Sequence, residues 1–77
     1  MESREISEAW LEATAQVTGL EARCRLAHGA LGELNQNPDH PHAAEDLGLW
    51  VEDIRRQGEA TVVAIDRFLK LYAARPR

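Results

Sequence analysis

The residues of this 77-residue chain best suited to chemistry are Asp39-His40-Pro41-His42, followed by Glu45 and Asp46. Their imidazole nitrogens and carboxylate oxygens could ligate a divalent metal ion. Histidines at a proline-rich helix start serve equally well as polar turn residues, and with no further ligand in view no metal site is assigned. Cys24 is the only cysteine. It cannot form an internal disulfide, which agrees with a reducing compartment, and at its place in a helical seam it reads as a small core residue. There is no glycine-rich phosphate loop, no H-E-x-x-H, no C-x-x-C and no nucleophile elbow, so the expectation is a protein that is not an enzyme and holds no cofactor.

Arg23, Arg25, Arg55 and Arg56 come from two distant parts of the chain, and they are the residues that could touch a nucleic-acid backbone. Glu21, Glu52 and Asp53 lie in the same zone and dilute the field, so a solvated, ion-paired band is the reading favoured here. The formal net charge of −4 also argues against coating nucleic acid or an anionic membrane. Residues 1–53 carry a formal −8 and residues 54–77 carry +4. An antiparallel hairpin would set the acidic N-terminal region beside the basic C-terminal region.

What positions these groups is a pair of long amphipathic helices. From Ser3 or Arg4, with Ser3 as N-cap, a three-four alternation runs through Ile6, Trp10, Ala13, Val17, Leu20, Cys24, Ala27, Leu31 and Leu34. A second seam runs through Ala44, Leu47, Val51, Ile54, Gly58, Thr61, Ile65, Phe68 and Tyr72. Gly58 in a helix interior costs about 1 kcal/mol relative to alanine, which suggests that packing requires its size. Between the seams, Asn35 to His42 is free of apolar side chains and contains Pro38 and Pro41, the marks of a turn. Asp39 or His40 can cap the second helix, with Pro41 in its first turn. So short a connection forces an antiparallel hairpin in which facing residue numbers sum to roughly 75.

The fold expected is therefore all-α, one domain over residues 1–77. Helix one spans about 4–35, the turn about 36–40 and helix two about 41–74, with two such hairpins joining into a four-helix bundle. The apolar stripe of the second helix is wider than one partner helix covers, because Trp50, Val62, Ala64, Leu69 and Leu71 flank its seam. On the far side of helix one, Leu11, Ala15, Ala22 and Leu26 form a second row of apolar and small residues, with Gly19 and Gly29 nearby. Both groups are expected to meet a partner, with Trp50 as the anchor lying beside the intramolecular seam. The function expected is a non-enzymatic protein–protein interaction module: a small adaptor, regulator or inhibitor acting through helix–helix packing. Its partner would be a second copy of itself, a larger protein, or both. The alternative is a small dimeric RNA-binding regulator using the arginine band. With no apolar run of signal-peptide or membrane-spanning length, the expected location is cytoplasmic.

Overall fold

A computed structural model describes residues 3–76, with the backbone alone described at Ser3. It contains two helices, α1 (Ser3–Gln36) and α2 (Ala43–Ala73), packed against each other as an antiparallel hairpin. Proline-free α1 is rich in alanine and leucine, both strong helix formers. It includes Ser3, the residue expected to cap it, whose side chain lies outside the described part, as do Met1, Glu2 and Arg77.

The turn runs from 37 to 42, and α2 begins two residues later than expected. The side chain of His40 is the reason. Its Nδ1 accepts hydrogen bonds from the backbone N–H of His42 at 3.2 Å and of Ala43 at 3.1 Å, so it satisfies donors that a helix start leaves open. Pro41 consequently stands ahead of the helix and not inside its first turn. Asn37 shapes the other half, accepting from Asp39 N–H on its side-chain oxygen at 3.2 Å and from His40 N–H on its carbonyl at 3.0 Å.

The interhelical register is pinned by polar groups. Gln57 Nε2 donates to Gln16 Oε1 at 2.6 Å and to the Gln16 carbonyl at 3.0 Å. Thr61, only 5% exposed, donates its hydroxyl to the Gln57 carbonyl at 2.7 Å and lies 3.2 Å from the Gln16 carbonyl. Arg23 Nε meets Asp53 Oδ2 at 2.9 Å. These pairs sum to between 73 and 77, in agreement with the register expected from the turn. Polar seam residues of this kind set alignment at some expense of stability.

The seam itself differs from the expected one in a regular way. Its innermost residues are Ala9, Ala13, Ala27 and Ala30 on α1 and Ala43, Thr61 and Ala64 on α2. Ile6, Gln16, Leu20, Arg23 and Leu34 are half-buried on the same period of α1, as are Leu47, Trp50, Ile54, Gln57, Phe68 and Leu71 on α2. Every other expected position is displaced by one residue. Ala9 takes the place expected for Trp10, Arg23 that of Cys24, and Ala30 that of Leu31. On α2, Trp50 replaces Val51 and Ala64 replaces Ile65. Trp50, Ala64 and Leu71 thus fall within the seam and not beside it. Alanines at the centre let two helix backbones approach closely, and the larger side chains move to the flank.

The result is a thin rod. Its extents are 58 × 15 × 14 Å and its radius of gyration is 17.3 Å, whereas a compact 77-residue chain would have about 11.5 Å. Its accessible surface is 5823 Å², roughly 1,100 Å² more than the ~4,700 Å² typical of a monomer of this mass. No large side chain among the described residues is fully buried.

Candidate interaction surface

The displacement of the seam decides what the hairpin presents to its surroundings. The residue after each alternate seam position is rotated by about 100° about its helix. Because the helices are antiparallel, the same rotation carries both rows to one side of the hairpin. Trp10, Val17, Cys24 and Leu31 come there from α1, and Val51, Gly58, Ile65 and Tyr72 from α2, with Val62 and Leu69 at the outer edge of α2. Trp10 is 53% exposed and Val51 61% exposed, and Leu31, Ile65, Leu69 and Tyr72 are likewise open. An open, mainly apolar groove at mid-length, lined by Leu20, Gly58, Glu59, Thr61, Val62 and Val63, joins the two helices on this side.

The opposite flank is charged. There a groove is lined by Glu12, Gln16, Arg56, Glu59, Ala60, Val63, Ala64 and Arg67, and a second, nearer the turn, by Asp46, Leu49, Trp50, Glu52, Asp53 and Arg56. The hairpin is amphipathic across its thickness: one broad face is mainly apolar, and the charged groups gather on the other, where Leu49 and Val63 are also exposed.

Gly58 sits in the middle of the apolar face. A Cβ built there would meet nothing within 4 Å, so packing inside the hairpin does not require a glycine, contrary to the expectation from sequence. Gly19 is the position where space is tight: a Cβ would come to 3.2 Å from both the Arg23 guanidinium and the Gln57 amide. The Arg23 Nη1 also donates to the Gly19 carbonyl at 3.0 Å.

The residues expected at a partner surface are spread over three regions. Val62 and Leu69 lie on the apolar face, Trp50 and Leu71 lie in the seam, and Leu11, Ala15, Ala22 and Leu26 are exposed elsewhere on α1. The structure therefore does not gather them into one patch. The face that is gathered consists largely of residues expected in the core, above all Trp10, Leu31, Val51 and Ile65. For Trp10, Leu31 and Ile65 the excess of bulk over the alanine beside each is the signal that could have found it; Val51, next to the larger Trp50, carries no such signal.

The arginine band is largely neutralised. Arg23 pairs with Asp53 across the helices. Arg55 pairs with Glu52 and, at 2.8 Å, with Glu59, and Arg56 lies 3.4 Å from Glu52. Hydrogen bonding from Arg55, with the charges of Arg55 and Arg56, holds the Glu52 carboxyl below its ordinary range despite some desolvation. Glu52 and then Glu59 raise Arg55 in turn. Farther along α2, the Asp66 carboxylate accepts from Lys70 at 2.8 Å and raises the ammonium. Arg25 alone of the four makes no ion pair among the described residues.

At the turn, His40 Nδ1 accepts from the backbone N–H groups of His42 and Ala43, and its Nε2 lies 3.8 Å from Glu33. No three histidine, cysteine, aspartate or glutamate side chains come together in a metal-binding arrangement among the described residues. Cys24 is a free, exposed thiol on the apolar face and not a core residue. At the end of α2, the Arg75 guanidinium folds back to 3.7 Å from the centre of the Tyr72 ring, which stacks on Phe68 at 5.7 Å. Neither described helix is long and apolar enough to cross a membrane.

No family model matches the chain, and no curated protein or solved structure matches it.

Proposed function

We propose that this chain is a non-enzymatic protein–protein interaction module, an adaptor, regulator or inhibitor that works by laying one face of a helical hairpin against other helices. Two hairpins so joined would make a four-helix bundle. The observation that carries this reading is the uncovered apolar face set over a core whose innermost apolar residues are alanines. A domain this small has little stability to spare, and burying large side chains against a partner supplies what the alanine seam does not. The exposed Cys24 thiol suits a reducing compartment such as the cytoplasm.

Two exposed apolar side chains of α2 provide the test. Val62, 67% exposed, lies on the apolar face, and Leu49, 71% exposed, lies on the charged flank. Val62→Glu is expected to disrupt whatever assembly the wild-type chain forms, measured by sedimentation, and to lower its melting temperature. Leu49→Glu should leave both nearly unchanged. Equal effects of the two substitutions would contradict the reading.

A further inference from the structure

Taking the interaction reading as its premise, we propose that the occupant of the apolar face is a second copy of this chain, packed face to face with its ends reversed, the two-fold axis crossing α2 at Gly58. Three independent features support it.

The first is area. From Tyr72, level with the start of α1, to Leu31 the apolar rows run about 42 Å across a rod 15 Å wide, roughly 630 Å² in projection, the order of the ~800 Å² that each partner contributes to a stable interface of standard size. The surface excess of the rod over a compact monomer is of the same order. One equal hairpin covers this face, and a single helix would leave half of it bare.

The second is charge. Residues 26–50 contain Glu33, Asp39, Glu45 and Asp46 and no lysine or arginine, while the rest of the chain is balanced. The whole formal charge of −4 therefore sits at the turn end of the rod. Two copies aligned turn to turn would bring two such ends together. Reversed copies hold them at opposite ends of a bundle some 58 Å long, several times the ~8 Å screening length at physiological salt.

The third is the position of Gly58, the central residue of α2 (Ala43–Ala73). Nothing in the hairpin fills the space above it. At a two-fold axis the same residue of both copies meets itself, so a missing side chain lets the two α2 backbones approach there. Val51 and Ile65 are each seven residues from Gly58, so Val51 of one copy lies against Ile65 of the other. On α1 the axis passes close to Val17, which is level with Gly58 in the register set by the cross-helix hydrogen bonds. Trp10 of one copy then reaches the level of Cys24 of the other.

Disulfide trapping reads this pairing directly. In a Cys24→Ser background, the double variant Val51→Cys/Ile65→Cys is oxidised with oxidised glutathione and examined on a non-reducing gel. The reversed dimer predicts a covalent dimer from the double variant and none from either single variant, because two copies of residue 51, or of residue 65, would lie about 21 Å apart along the axis. A disulfide requires Cα atoms within ~7 Å. A dimer seen by sedimentation that gives no covalent product overturns the reversed packing. A chain that is monomeric alone and gains stability only on adding a foreign helical partner overturns self-association and leaves the interaction reading standing. A stably folded monomer that binds nothing overturns both.

Discussion

Replacing Gly58 with alanine should act in opposite directions on the hairpin and on its assembly. In the isolated hairpin the new methyl enters open space, with no atom within 4 Å, and the helix interior loses a glycine. The gain is about 1 kcal/mol from helix propensity, which for a domain of this size is a rise of roughly 4 to 8 °C in melting temperature. In the proposed dimer the same methyl would appear twice at the two-fold axis, where the backbones would meet. Forcing methyl groups into packed space costs about 1 to 3 kcal/mol, a loss of roughly one to two orders of magnitude in the association constant. Melting by circular dichroism over a dilution series separates the two effects. At the lowest concentrations Gly58→Ala should be the more helical and heat-resistant protein, and at the highest the wild type should be. If alanine weakened the dilute hairpin, something in it would have to pack on Gly58, and the geometry described above would be wrong. Unchanged association would remove Gly58 from the interface.

Other substitutions test the seam and the turn. Trp50→Ala removes a half-buried seam residue and should cost about 2 kcal/mol of hairpin stability, seen as helix loss at every concentration and not as dissociation alone. Gln57→Ala leaves Gln16 without its cross-helix partner and should cost about 1 kcal/mol, whereas the paired change Gln16→Leu/Gln57→Leu should restore or exceed wild-type melting while loosening the register, as judged by dispersion of amide resonances. His40→Ala removes the acceptor for two backbone donors at the start of α2 and should cost about 1 kcal/mol, with the earliest hydrogen-exchange losses at residues 42 and 43.

The hairpin was legible in the sequence because two long stretches of regular alternation flank a turn with two prolines and no apolar residue. The positions shared by the expected and observed seams, such as Leu20, Ala27, Leu47, Ile54 and Phe68, recur every seven residues. What hydrophobicity could not resolve was which adjacent row faces the sister helix. Trp10 stands next to Ala9, Leu31 next to Ala30 and Ile65 next to Ala64; ranking by apolar bulk selects the larger of each pair. Close helix approach selects the smaller, and the larger is left for a surface outside the hairpin. Gln16 and Gln57 are missed for a related reason, since polar side chains read as solvent-facing; the sequence does place Arg23 and Asp53 in one ion-paired band, but as a solvated one and not as a pair across the seam.

The claim that the hairpin relies on covering its apolar face is tested most directly by the dependence of its thermal melting on protein concentration, with the mass measured on the same samples. If folding is coupled to association, the melting temperature rises steadily with concentration and the mass approaches twice the 8.6 kDa of the chain. A melting temperature well above ambient that does not move over several decades of concentration, at the mass of a single chain, would contradict it.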